Sequence, residues 1–131
     1  MRVFDPAARP AEPVDPDNFT GEGTLVRMDG VCERPVVNAY RVTFGPETRT
    51  AGHTHSGTQI LLVVEGTCRF QKDGERVQEV GVGAIVSIAP GERHWHGASP
   101  DGRMVHVALN VDAATTWLEK VTDREYRDLS R

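Results

Sequence analysis

Apolar and polar residues alternate with a period of two through most of this chain. Segments 40–44, 58–64, 67–72, 76–80, 84–89 and 103–111 are short and bounded by turn-forming residues. That period predicts strands rather than helices, because side chains of an extended chain point to opposite faces in turn. An earlier pair, 23–29 and 35–44, adds two more. Ten of the thirteen glycines lie between Gly45 and Gly102 and supply the punctuation. Glu65-Gly66 and Lys72-Asp73-Gly74-Glu75 read as hairpin turns. No helical pattern separates these segments, so the expected fold is all-β, an antiparallel sandwich or barrel.

The two ends break this rhythm. Pro6, Pro10, Pro13 and Pro16 punctuate residues 1–20, and each X-Pro step keeps the chain extended. This segment is expected to be an arm lying along the domain or along a partner subunit. Residues 21–111 then form the barrel, and 112–131 a tail. In the tail Asp112 is a candidate cap for a helix over 113–121, where Trp117, Leu118 and Val121 have helical spacing. Thr122-Asp-Arg-Glu125 reads as a capping box for a second helical turn through Leu129. The expected job of these pieces is to cover one end or edge of the barrel.

Composition narrows the function classes. The chain has 131 residues, 15 basic and 19 acidic side chains and a net charge of -4. No basic stripe is present, which argues against nucleic acid as the partner. Two cysteines, Cys32 and Cys68, are too few for a disulfide scaffold, and Cys68 reads as a small buried hydrophobe. No stretch approaches the roughly 20 apolar residues of a membrane span, and no apolar signal region follows Met1. A soluble, cytoplasmic protein with no membrane partner is expected.

The five histidines carry the chemistry, and all fall between His53 and His106. In an extended strand residues i and i+2 share a face with Cα atoms about 6.5 Å apart. His53-Thr54-His55 therefore presents two imidazoles on one side, close enough to share one metal ion. His94-Trp95-His96 does the same, with Trp95 on the opposite face. His106 shares its face with Met104, Ala108 and Asn110. Ser56-Gly57 is a bend signal that can return Gln59 to the histidine pair. A neutral set of His53, His55, Gln59 and His94 suits a borderline divalent ion such as Mn, Fe, Co, Ni or Zn.

These residues resemble a known family. His53-x-His55-x-x-x-Gln59, followed by Gly66, resembles the first cupin motif. Gly83, followed by Pro90-Gly91-Glu92-Arg93-His94, resembles the second. The likeness covers roughly residues 36 to 111. It implies a cupin double-stranded β-helix, a jelly-roll barrel, with one metal on His53, His55, Gln59 and His94. It also implies a homo-oligomer, a homodimer or homotetramer. Gln59 replaces the glutamate of many cupins, and Ala84 replaces an acidic residue often found after the second-motif glycine. A narrower likeness is to the bacterial cupin hydroxynitrile lyases. It rests on Thr50–His55 through Gln59, Pro90–Gly97, Met104–Ala108 and the tail Val121–Arg127. It implies manganese as the metal, with two further histidines over it, at His96 and His106 here.

The chemistry implied is cleavage or formation of a cyanohydrin, a small-molecule substrate. His106 is the expected base and His96 the group that orients substrate or assists cyanide, although the two roles can be exchanged. Tyr40, Val42, Thr50 and Asn110 are expected to line the pocket by parity and position. Trp95 and Trp117 are expected to serve packing. Two other readings remain open from the residues, a Mn- or Fe-dependent dioxygenase and a non-catalytic metal-containing binding module.

Overall fold

Every segment of period two forms a strand in the computed structural model, which describes residues 1–128. After a 3-10 turn at Pro6–Ala8 the strands are β1 (Glu12–Pro13), β2 (Phe19–Thr20), β3 (Gly23–Glu33) and β4 (Val36–Phe44). β5 (Arg49–Thr50), β6 (His53–His55), β7 (Thr58–Glu65), β8 (Cys68–Lys72) and β9 (Gln78–Val80) follow. The chain continues through β10 (Ile85–Ile88), β11 (His94–Ala98), β12 (Met104–Val111) and β13 (Thr115–Trp117), then one helix, α1 (Asp123–Arg127). One sheet has the order β1-β3-β4-β12-β7-β10. The other has β13-β6-β11-β5-β2, with β8 along β11 and β9 along β8. All pairs are antiparallel. The two sheets close over a shared interior as a jelly-roll barrel.

Alternation decides which side chains enter that interior. β12 sends in Met104, His106, Ala108 and Asn110, all buried. β7 sends in Gln59, Leu61 and Val63. One part of the interior is apolar, with Val42, Phe44, Val63, Cys68, Ala98 and Met104 in one cluster. Leu61, Ile88 and Ala108 form a second. Burial of each such large aliphatic side chain contributes about 1.5–3 kcal/mol. Cys68 belongs to this core, and burial pushes its thiol up to about 12, so it stays a protonated hydrophobe.

The arm is tied to the barrel rather than free. β1 pairs with β3, Glu12 opposite Leu25 and Pro13 opposite Thr24, and β2 pairs with β5.

The expected helix over 113–121 is not formed. Thr115, Thr116 and Trp117 are instead a strand that pairs with β6, setting Thr115 opposite His55 and Trp117 opposite His53. Asp112 does not cap a helix. It adopts a positive φ of 48° and its Oδ1 accepts from the Val36 N–H at 2.9 Å. β-Branched and aromatic side chains fit a pleated surface, and a free sheet edge at β6 outweighs three apolar residues at helical spacing. The capping box does form, with the Thr122 hydroxyl accepting from the Glu125 N–H and the Glu125 side chain accepting from the Thr122 N–H. The expected end of that helix at Leu129 lies outside the described residues.

The short α1 is held by its side chains, not by its length. Tyr126 is fully buried between two buried arginines, 4.7 Å from the Arg49 guanidinium carbon and 5.0 Å from that of Arg69. Its hydroxyl donates to the Ala98 carbonyl. Arg49 donates to the Val121 carbonyl at 2.7 Å and to Asp123 at 2.8 Å, and Arg69 donates to the Tyr126 carbonyl at 3.0 Å. Trp95, on the outer face of β11, packs against this ring and donates its indole N–H to Gln71. Desolvated cation–π contacts and hydrogen bonds from charged donors are the stronger members of their kind. Tyr126→Phe should cost about 1 kcal/mol by loss of one hydrogen bond, and Tyr126→Ala about 3–5 kcal/mol through the cavity it leaves. Urea denaturation measures both, and an unchanged midpoint for Tyr126→Ala would remove α1 from the folded core.

Candidate metal centre

Two strands of each sheet aim polar side chains at one region of the interior. β6 supplies His53 and His55, and β11 supplies His94, directly opposite His53, together with His96. From the facing sheet β7 supplies Gln59 and β12 supplies His106 and Asn110. The Ser56-Gly57 bend lets Gln59 return. A Cβ on Gly57 would collide with the Val111 carbonyl oxygen, so only glycine lets β7 start so close to the end of β12. Gly97 likewise allows β11 to lie against Thr48 and Arg49, where any side chain would meet backbone.

All five histidines are buried. Ring centroids lie 4.2 Å apart for His53 and His94, 4.9 Å for His53 and His55, and 5.3 Å for His55 and His94. His96 stands 5.4 Å from His53 and 5.7 Å from His94. Ring nitrogens of His53, His94 and His96 fall within 4.8 Å of one another. By centroid distance His55 is the nearer companion of His53 and His94, whereas the close group of ring nitrogens includes His96. His106 lies beyond His96, with centroids 4.9 Å apart.

Hydrogen bonds fix which nitrogens carry protons. His53 Nδ1 lies 2.8 Å from the Ala51 carbonyl and His94 Nδ1 lies 2.8 Å from the Glu92 carbonyl. A carbonyl only accepts, so both protons sit on Nδ1 and both Nε2 atoms keep lone pairs. His55 Nδ1 is 2.9 Å from the Thr115 hydroxyl, and its Nε2 is buried without a hydrogen-bond partner among the described residues. Gln59 donates from Nε2 to Asn110 Oδ1 at 2.8 Å, which leaves its Oε1 3.3 Å from His94 Nε2. Neither of these last two atoms can donate. Two acceptors facing each other in a dry interior repel, and a shared cation relieves that repulsion.

Burial also keeps the rings neutral. It is the first cause of the drop in His53 to about 3, with the His94 charge second, and of the drop in His94 to about 4. Burial lowers His106 to about 4, and lowers His55 and His96 as well. Neutral imidazole is the ligating form. The buried histidine group could therefore bind a metal ion, and outer partners that hold Nδ1 are the usual support for ligating histidine.

His96 and His106 form a second unit. The Nδ1 of His96 and the Nε2 of His106 are 3.0 Å apart, while His96 Nε2 and His106 Nδ1 are buried without partners among the described residues. Phe44 packs edge-on against both rings. The His96 N–H donates to the Thr50 hydroxyl at 3.2 Å.

A cavity of about 320 Å³ opens onto His53, His55, Gln59, His96 and His106. Tyr40, Val42, Thr50 and Asn110 all line it. His94 stands outside this lining and borders a second cleft of about 240 Å³ with Phe70, Lys72 and Ile88. Three features of the cavity were not expected from the sequence. Trp117 lines it with its ring 4.6 Å from that of His53, rather than only packing. Phe19 of the arm bridges Trp117 and Phe44. Arg27 and Glu12 pair at 2.6 Å, and both border the cavity. The run Thr115-Thr116-Trp117 carried a strand signal that would have placed Thr115 and Trp117 on the face of His53 and His55.

Comparisons with known proteins agree with this architecture. Residues 40–110 match the cupin domain family. An (R)-mandelonitrile lyase from Granulicella tundricola is 43% identical over 117 residues, covering 85% of this chain and 87% of that protein. A cupin-like protein from Thermotoga maritima has a TM-score of 0.82 at 32% identity, covering 98% of this chain and 97% of its own. A polyketide cyclase from Streptomyces resistomycificus shares the fold, with a TM-score of 0.70 at 18% identity, covering 96% of this chain and 90% of its own. The chain thus belongs to the cupin family, and among solved and curated proteins it is similar to a bacterial mandelonitrile lyase.

Proposed function

We propose that this protein is a metal-dependent lyase that cleaves or forms cyanohydrins. The reading rests on the His96–His106 pair standing beside a neutral donor set, and the 43% identity to a mandelonitrile lyase supports it. His53, His55, Gln59 and His94 would hold one divalent ion, manganese by preference, with iron, zinc, nickel or cobalt as alternatives. Such an ion supplies Lewis acidity toward a substrate oxygen.

The histidine pair supplies the proton traffic. One proton is shared between His96 Nδ1 and His106 Nε2. Whichever ring donates it, one outer nitrogen is a lone pair and the other an N–H. The neutral pair therefore offers a base and an acid together. With the proton on His106 Nε2, His106 Nδ1 accepts the substrate hydroxyl proton and His96 Nε2 donates to departing cyanide. Transfer across the shared bond then leaves the opposite tautomer, so the two roles exchange. Tyr40, Val42, Thr50, Phe19 and Trp117 form the walls that hold the substrate. Leu62, Val64, Val82 and Ile85 are exposed apolar residues, and they support a homodimer or homotetramer.

Anaerobic assay of cyanide release from mandelonitrile tests the reading. Turnover should vanish after chelation and return with Mn(II). Oxygen consumption with an enol or catechol substrate, without cyanide release, would instead make the protein a dioxygenase. Metal binding with neither activity would make it a binding module. His106→Ala should keep its metal by elemental analysis and lose about 10²–10⁴-fold in cyanide release. Full activity in the metallated variant would remove His106 from the reaction.

A further inference from the structure

Gln59 poses a problem that the histidines do not. The two ends of its amide have nearly the same shape and opposite chemistry. Only the oxygen end can ligate a cation. Its neighbour His94 presents a lone pair at Nε2, because Nδ1 gives its proton to the Glu92 carbonyl. Left to that neighbour alone, Gln59 would turn its NH2 inward and donate to His94. That arrangement would occupy one ligand atom and aim a donor where a ligand is needed.

The opposing influence comes from β12. Asn110 is directly opposite Gln59 in the β7–β12 register. Its Oδ1 accepts from Gln59 Nε2 at 2.8 Å, and the contact is buried. Asn38 lies on β4, across β12 from Gln59, and its Oδ1 accepts from the Gly30 N–H at 2.8 Å. Gln59 Oε1 is thereby turned toward His94 at 3.3 Å.

We propose that Asn110 is a positioning residue for the metal centre, its side-chain oxygen holding the Gln59 amide with oxygen rather than nitrogen toward the histidines. The inference rests on the reading of His53, His55, Gln59 and His94 as the metal-binding set. It assigns Asn110 a role toward the ligand set that is separate from its place in the cavity wall. The role requires an acceptor at position 110. Aspartate, which can only accept, preserves it. Leucine or alanine abolishes it. A glutamate at position 59 has oxygen at both ends and no longer needs it.

The test is titration with Co(II) and Mn(II), without substrate, of the unaltered protein, Asn110→Asp, Asn110→Leu, Gln59→Glu and Asn110→Leu combined with Gln59→Glu. Chelator competition reads affinity, and the visible spectrum of bound Co(II) reads the ligand set. Asn110→Asp should stay within about 3-fold of the unaltered protein. Asn110→Leu should weaken binding by about 10- to 100-fold, the usual range for a lost outer partner, and alter the Co(II) spectrum. In the Gln59→Glu background the same substitution should change affinity by less than about 3-fold, against the larger loss expected where an outer partner is needed. If Asn110→Leu does not fold by circular dichroism, Asn110→Ala removes the acceptor without adding volume. Affinity and spectrum equal to those of the unaltered protein would overturn the inference alone. An equal loss in both backgrounds would also overturn it, since that marks packing. An unaltered protein that binds neither ion overturns the metal reading, and the inference with it.

Discussion

The lone pairs of His94 Nε2 and Gln59 Oε1 face each other across 3.3 Å, and much of the barrel serves to keep them there. They come from different sheets. β11 carries His94 opposite His53, and β7 carries Gln59 opposite Asn110. Neither side chain can retreat, because each is anchored by a hydrogen bond on its far side. An unmet acceptor in a dry interior typically costs about 1–3 kcal/mol. Stability lost at this point is recovered in the apolar clusters that border it, around Phe44 and Leu61. A site that is unfavourable by itself and favourable with a cation is the physical meaning of preorganisation.

Charge follows from the same donor set. Three imidazoles and an amide are all neutral, so a divalent ion held there would keep its full charge. A glutamate at position 59 would cancel one unit of it. Burial keeps the histidines neutral at pH 7, with His53 and His94 lowered to about 3 and about 4. The His96–His106 pair therefore works as a neutral donor and acceptor rather than as a standing cation. For the proposed alcohol substrate that distinction would matter, because its hydroxyl proton needs a free lone pair within reach.

The strands and the histidine spacing were legible because both depend on a period of two. His53 and His55, His94 and His96, and the inward row of β12 follow from alternation alone. The tail was misread because Trp117, Leu118 and Val121 match a helix locally, and nothing local reveals that β6 lacks a neighbour. Pairing across 60 residues, as between His55 and Thr115, is invisible to any short window. Protonation was also out of reach. The Nδ1 positions depend on carbonyls of Ala51 and Glu92 that only the folded backbone brings into line. The arm illustrates the same limit, since its prolines predict extension but not that Phe19 and Glu12 will border the cavity.

The misread strand turns out to matter for the site. β13 sets Thr115 against His55 Nδ1 at 2.9 Å and Trp117 against the His53 ring at 4.6 Å. Its C-terminal end is tied to the loop before β6, with Gly52 donating to the Glu119 carbonyl at 2.9 Å and Leu118 donating to that of Gly52 at 2.8 Å. Beyond it, Arg49 reaches the Val121 carbonyl while its neighbour Thr50 receives the His96 N–H. The tail therefore touches the histidines of β6 directly and reaches His96 of β11 through Arg49 and Thr50. A sheet edge carrying the His53 and His55 rings would be free to twist without β13, and the geometry of a metal site tolerates only small errors. On this argument the last strand is a wall of the site, and α1 with its Tyr126 anchor is the clamp that keeps that wall in place.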